Sequence, residues 1–311
     1  MSLQRNLIIG SRTSNLAMWQ TQHIADRLQR AWPGLTCQVE PFVTKGDKTL
    51  DQPLPQIGGK GLFTLELENA LREARIHLAI HSLKDLPVED APGLTLGAIV
   101  GRADVRDVLI SSGGRTLDML PDGAIIGTSS LRRQAQLLHT NSELDVRSIR
   151  GNVGTRIRKV HEGRYDATVL AAAGVTRLGL DHHIIEYLSL ELMLPAPGQG
   201  ALAVQCRADD EATLELLAAI HRPDVAAAVT AERSFLYHLG GGCATPVAAL
   251  ATAAGAGLQL TGLVLSPNGG RRISVNGYGL DGWSLGARLA DEALGRGAQE
   301  VLAGILEGDS L

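Results

Sequence analysis

Short apolar runs alternate with amphipathic stretches through most of the chain. LIIGS (7–11) reads as a buried strand, and residues 14–30 as a helix with apolar positions at Leu16, Trp19, Ile24 and Leu28. CQVEPFV (37–43) predicts a second strand, FTLELENALREA (63–74) a helix and LAIHS (78–82) a third strand. LTLGAIV and VRDVLIS predict strands on either side of GRAD. AIIGTSS–LRRQAQLLHT and VRSIRGNVGTRIRKVHEG each predict a strand running into a helix, and ATVLAAAG predicts another. LMLPAPGQGALAVQC (192–206) is apolar but carries Pro and Gly, as a segment crossing between domains would. After His221 the pattern changes to a helix, two strands (LQLTGLVLS and RRISVNGYG) and a last helix over 284–306. Between them, TKGDKTLDQPLPQIGGKG (44–61) has loop composition. The alternation predicts an α/β protein with a small α+β domain at its C-terminal end.

Composition narrows the class. The 311 residues are 44% hydrophobic and 20% charged, as in a globular chain with room for two or three domains. The net charge of −4 argues against a general nucleic-acid binder, and scarce Trp and Tyr argue against base stacking. Three widely spaced cysteines suggest neither a disulfide framework nor a metal site. MSLQRNLIIGSRTS has no long apolar core, so no signal peptide is expected, and no apolar run is long enough to span a membrane. A reducing cytoplasm is the expected location.

Charge is unevenly spread. Residues 128–164 hold eight basic and three acidic residues, which implies a local anionic ligand. GTSSLRRQ (127–134) ends a strand and opens a helix, so free N–H groups and the helix dipole lie beside Arg132 and Arg133. RGNVGTRI (150–157) repeats the arrangement with Arg150 and Arg156. Both turns fall where strand carboxyl ends meet helices, the ligand edge of an open α/β sheet. Arg12 and Ser14 form a similar turn, for which a plain helix cap is an equal alternative. HSLKDLP (81–87) leaves a strand with Ser82, Lys84 and Asp85. By itself it reads as a strand exit with a local ion pair, and His81 as a satisfied structural histidine. Cys37 and Cys206 sit in apolar strand patterns and read as core; His182 and His183 read as exposed. Cys243 is different: in YHLGGGCATPVAAL (237–250) it follows three glycines, an open setting that suggests chemistry at sulfur.

Taken together, these stretches resemble the porphobilinogen deaminases, also called hydroxymethylbilane synthases. The matching stretches include SRTSNLAMWQ, VTKGDK, GGKGLFTLELENALRE, LAIHSLKDLPVE, GTSSLRRQAQL, RSIRGNVGTRIRKV, LPAPGQGALAVQCR, TAERSFL and GGGCATPV, in family order. The resemblance implies a transferase of tetrapyrrole (haem, porphyrin) biosynthesis that joins four porphobilinogen molecules head to tail and releases ammonia at each step. The chain grows on a dipyrromethane cofactor held by a thioether, which the resemblance assigns to Cys243. It makes Asp85 the catalytic carboxylate, stabilising the cationic azafulvene left when ammonia departs. It assigns cofactor and substrate binding to Arg12, Ser14, Ser82, Lys84, Thr128, Ser129, Ser130, Arg132, Arg133, Arg150, Gly151, Arg156 and Gln199, and no metal. Asn15, Lys45, Gly240 and the Ala244–Thr245 pair depart from common family residues.

The resemblance also implies an architecture: two periplasmic-binding-protein-like lobes with a hinged cleft, plus the small C-terminal domain. Domain 1 would span 1–100 and 201–218, domain 2 106–194, and domain 3 223–311 with the cofactor cysteine. A monomer is implied, without nucleic-acid or membrane partners, with uroporphyrinogen-III synthase as a transient downstream partner. Two rivals share the two-lobed pattern: a non-catalytic module binding an anionic solute, and the effector domain of a transcription regulator. The Cys243 loop counts against the first, and the lack of a preceding helix-turn-helix against the second.

Overall fold

The computed structural model describes residues 5–44, 46, 64–242 and 245–307. Among the described residues the chain forms two compact units. The first holds the segments up to 103 and 200–226, and the second holds 104–199 and 227 onward.

The first unit is built on a five-stranded sheet. Its strands are β1 (Arg5–Arg12), β2 (Leu35–Phe42), β3 (Leu78–Ser82), β4 (Leu94–Arg102) and one that follows the second unit's first segment (Ala201–Arg207). The spatial order is β2-β1-β3, then the 201–207 strand, then β4. β1 runs parallel to β2 and β3, while the 201–207 strand is antiparallel to both its neighbours. Helix α1 (Asn15–Ala31) follows β1 directly. Its Ile24 and Leu28, one turn apart, bury against Leu7, Ile9 and Val204 on one face of the sheet. Helix α2 (Leu65–Arg72) covers the other face through Leu67 and Leu71. Parallel pairing brings the carboxyl ends of β1 and β3 to one edge, so Arg12 and Ser82 lie on the same side. A single 3₁₀ turn, Leu83–Asp85, then ends the β3 unit.

The second unit repeats this topology. Its sheet comprises β5 (Asp107–Ser111), β6 (Ile125–Gly127), β7 (Asp145–Arg147), β8 (Ala167–Ala171) and β9 (Glu186–Tyr187), in the order β7-β6-β8-β5-β9. Here too the three parallel strands are followed by an antiparallel one, β5. In each unit that antiparallel strand is the one entered after the chain leaves the other unit. Helices α3 (Leu131–Thr140), α4 (Val153–His161) and α5 (Ala172–Arg177) follow β6, β7 and β8, as the sequence pattern predicts.

The 201–207 strand is β10, and helix α6 (Glu211–Ala218) follows it. Helix α7 (Pro223–His238) leads to a third, antiparallel sheet of β11 (Val247–Ala254), β12 (Gly257–Leu265) and β13 (Arg272–Gly279). Ala248, Leu263 and Leu265 of this sheet pack with Ala135 of α3 and with Leu194, which joins it to the second unit. β11 is a strand that the sequence pattern misses. Its alanine-rich VAALATAA has weak β-propensity, and full pairing with β12 overrides it. The helix predicted over 284–306 is two helices, α8 (Gly282–Gly295) and α9 (Ala298–Glu307). Gly297 ends the first with φ +91°, a left-handed conformation that stops an α-helix. The α/β class with a small α+β C-terminal part is therefore observed. No helix among the described residues is long and apolar enough to cross a membrane, and no metal-ligating cluster occurs among them.

Candidate active site

In the first unit, the ends of β1 and β3 bring together residues far apart in sequence. Arg12, Thr64, Ile80, His81, Ser82 and Asp85 line one cavity of about 30 Å³. Asp85 is exposed, and among the described residues its carboxylate forms no hydrogen bond or ion pair. Ser82 accepts a hydrogen bond from the buried Gln20 amide of α1 at 2.9 Å. Thr21 of α1 donates to Ser11 at 2.8 Å, and Ser11 donates to the Arg12 carbonyl at 3.0 Å. Helix α1 therefore fixes the backbone on both sides of Arg12 and the side chain of Ser82. Ser14 caps α1, accepting from the Ala17 N–H at 3.3 Å, which is the cap alternative already open for it. Lys84 lies in the 3₁₀ turn beside Asp85.

His81 is buried, as its sequence reading expects; the Gln205 side chain acts on it, but its Nε2 makes no hydrogen bond of full geometry among the described residues. Burial pushes its pKa down to about 4; the Gln205 side chain opposes the shift and the Arg12 charge adds to it. The ring is neutral at neutral pH.

In the second unit, β6 and β7 run parallel, so the turns after Gly127 and Arg147 share one edge. Thr128 is buried, and its Oγ1 accepts from the Ser130 N–H at 3.2 Å. Ser129 Oγ donates to the Ile149 carbonyl at 2.7 Å and lies 2.9 Å from Ser148 Oγ, which ties the two turns together. Ser130 occupies the N-cap of α3 without a side-chain cap bond. In the second turn Gly151 has φ +114°, and a Cβ there would meet Thr155 Cγ2 at 2.7 Å. Only glycine suits this backbone and this close approach. Arg156 Nε donates to the Gly151 carbonyl at 2.8 Å, and Lys159 Nζ donates to the Arg150 carbonyl at 2.9 Å. Asn152 caps α4. Desolvation lowers the Lys159 pKa, and Arg164, Arg156 and Arg158 add to the effect. The basic island is thus concentrated enough to act on its own members.

Arg132 and Arg133 are not open forks on this edge. Their side chains are 5% and 7% exposed, and both donate at 2.7 Å to the fully buried carboxylate of Asp107, at the start of β5. Gln199 Nε2 donates to the same carboxylate at 2.9 Å and to the Val105 carbonyl at 2.7 Å. Arg132 also donates to the Leu194 carbonyl at 2.6 Å, and Arg133 to the Val169 carbonyl at 3.0 Å. Burial lowers the Arg132 pKa, Asp107 opposes this and Arg133 adds to it. Arg133 Nε is buried without a hydrogen-bond partner among the described residues. Arg132, Arg133 and Gln199, all expected to bind cofactor and substrate, thus converge on the Asp107 carboxylate.

Several residues of these sites carry no sequence signal: Asp107, Gln20 and Thr64. Lys45, Cys243 and Ala244 lie outside the described residues. Leu239 through Gly242 lead toward Cys243, and Gly240 has φ +66°. Cys206 is buried, and Cys37 packs at the edge of the same core; burial raises both thiols to about 11, so neither favours the thiolate.

The basic edge of the second unit can hold carboxylates, and the first unit presents the Asp85 carboxylate, unpaired among the described residues. Comparison with known proteins agrees with that chemistry. The family model described as "Porphobilinogen deaminase, dipyromethane cofactor binding domain" matches residues 7–215, and "Porphobilinogen deaminase, C-terminal domain" matches 226–295. A porphobilinogen deaminase of Syntrophotalea carbinolica is 50% identical over 96% of this chain and 96% of its own length. One of Roseiflexus sp. (strain RS-1) is 50% identical over 97% of this chain and all of its own. Among solved structures, a putative methionine-binding lipoprotein of Bacillus subtilis aligns with TM-score 0.44 and 13% identity over 71% of this chain and 92% of that one.

Proposed function

Since this chain belongs to the porphobilinogen deaminase family, we propose residue roles for the reaction that membership establishes. The protein is a transferase of tetrapyrrole biosynthesis, with porphobilinogen as substrate and a dipyrromethane cofactor. That excludes the reading as a non-catalytic solute-binding module. The residues present fit such a cofactor. Its two rings carry acetate and propionate groups, and the second unit offers a concentrated basic edge, a buried unpartnered Arg133 Nε and a glycine where a side chain would intrude. When bound, the dipyrromethane supplies the pyrrole carbon on which the chain is extended.

Asp85 is the catalytic residue in this reading. Its carboxylate stabilises the positive charge left on the substrate as ammonia departs, accepts pyrrole N–H bonds and takes up a proton. The observation that carries the assignment is its placement: an unpaired carboxylate beside Arg12 and Ser82 at the carboxyl ends of two parallel strands. Arg12, Ser82 and Lys84 orient substrate carboxylates and ring N–H groups beside it. Thr128, Ser129, Ser130, Arg150, Gly151 and Arg156 hold cofactor and substrate carboxylates through charge-assisted bonds, each worth about 1.5–3 kcal/mol. Arg132, Arg133 and Gln199 support that edge through Asp107. Ser14 acts through the cap of α1. Cys243 carries the thioether: its glycine neighbours give a pyrrole room, and its loop composition leaves a sulfur open to alkylation.

The division into three domains, 1–100 with 201–218, 106–194 and 223–311, is supported by the presence of one sheet in each. A monomeric state, a cytoplasmic location and transient contact with uroporphyrinogen-III synthase belong to the same reading and rest on the resemblance alone. Single-turnover kinetics on Asp85→Asn holoprotein test the central role. Loss of about 10²-fold in rate with the cofactor still attached is expected. A loss confined to substrate affinity would reduce Asp85 to a positioning residue.

A further inference from the structure

The cavity at Asp85 contains two buried polar atoms without a hydrogen-bond partner among the described residues. Thr64 is 3% exposed and His81 7%, and the two atoms are Thr64 Oγ1 and His81 Nε2. Leaving a buried polar atom unpaired is costly, so two of them lining one cavity mark a place for a polar occupant. Thr64 stands at the N-cap of α2, yet its hydroxyl makes no cap bond. His81, in a central strand of the sheet, lines this cavity with Asp85 and Arg12. The cavity volume of about 30 Å³ gives ample room for a water molecule.

We propose that Thr64 and His81 are positioning residues that hold one water molecule against the Asp85 carboxylate. The water oxygen and one hydrogen satisfy Thr64 Oγ1 and His81 Nε2, and its other hydrogen donates to Asp85. A neutral imidazole suits this role, because it can take either the donor or the acceptor part, whereas an imidazolium would compete with the substrate cation for the carboxylate. Its burial and the nearby Arg12 charge keep it neutral. The water gives an otherwise unpaired carboxylate a fixed orientation before substrate arrives. The inference rests on the reading of Asp85 as the reacting carboxylate.

The test uses Thr64→Val, which keeps the shape of the side chain and removes only the hydroxyl, in holoprotein whose cofactor is verified by intact mass. Nitrogen-15 NMR of the histidine rings should show His81 Nε2 shifted in Thr64→Val and restored in Thr64→Ser. Alongside, kcat should fall about tenfold at unchanged KM, as expected for one lost hydrogen bond, and Thr64→Ser should recover it. A His81 signal indifferent to Thr64 would overturn the proposal and would mean that Gln205, whose Oε1 is also unpartnered, takes up the ring instead. A rise in KM alone would overturn it too, since the cavity would then take a substrate group. The NMR readout does not depend on Asp85: an active Asp85→Asn enzyme would refute the catalytic reading while leaving the Thr64–His81 coupling to be seen.

Discussion

Removing the Asp107 carboxylate should destabilise the second unit more than removing either of its arginines. Asp107→Ala leaves two guanidinium groups, each more than nine-tenths buried, without their shared counter-charge. Each keeps one backbone carbonyl, Leu194 for Arg132 and Val169 for Arg133, but neither keeps an anion. Breaking a buried pair from one side costs about 3–5 kcal/mol. Two stranded cations put Asp107→Ala toward the upper end, a large part of the roughly 5–15 kcal/mol that holds a typical protein folded. Arg133→Leu instead leaves Asp107 with Arg132 and Gln199, so about 2 kcal/mol is expected, the value of a charged hydrogen bond. At about 2–4 °C per kcal/mol for a unit of this size, Asp107→Ala should lower Tm by roughly 10–20 °C and Arg133→Leu by roughly 4–8 °C. Both belong in a Cys243→Ser background, so that cofactor loading does not contribute, with unfolding followed by far-UV circular dichroism and urea. Asp107→Ala within about 1 kcal/mol of its parent would refute the reasoning. Arg133→Leu with an unchanged Tm here, but no cofactor in the Cys243 protein, would return Arg133 to direct ligand binding.

Gly151→Ala should lose about 1–3 kcal/mol through backbone strain and the clash with Thr155, and should load cofactor poorly, as read by Tm and intact mass. Glu232 is fully buried and accepts from the Gly198 N–H at 2.7 Å and the Ala251 N–H at 2.8 Å, so it ties α7 to the segment before Gln199 and to β11. Glu232→Ala strands both N–H groups and should cost about 2–4 kcal/mol in urea unfolding, whereas an effect below about 0.5 kcal/mol would show that water replaces it. His81 adds an acid sensitivity: its folded pKa of about 4 lies below the unfolded value of 6.5, so the unfolded chain binds more protons between them. The stability it contributes is complete above about pH 6.5 and is lost as pH falls toward 4, by up to roughly 3 kcal/mol. His81→Gln should flatten that part of the stability–pH curve, and a curve of unchanged slope would place the acid loss elsewhere.

Strand-to-helix turns were legible because their chemistry is local. GTSSLRRQ and RGNVGTRI encode a strand end, a cap and basic residues within a few positions, and the turns after β6 and β7 form where expected. The Asp107 network was not legible, since residues 107, 132, 133 and 199 meet only once β5 pairs antiparallel with β8. Nothing in VRDVLIS marks its aspartate as buried. Thr64 and Gln20 are ordinary helix residues by sequence and gain meaning only from what α1 and α2 place beside β3. β11 escapes the pattern because alanine favours helix, and the last helix reads as continuous because one glycine in an amphipathic run is a weak stop.

Growth of a single covalent chain on Cys243 is read most directly by denaturing mass spectrometry of the purified protein. The protein should exceed its sequence mass by two pyrrole units. Limiting porphobilinogen should then produce discrete adducts, each heavier by one deaminated unit, and Cys243→Ser should remove both the excess and the ladder. Protein at its bare sequence mass that gains nothing from porphobilinogen, or a Cys243→Ser chain that keeps the wild-type excess and ladder, would contradict it.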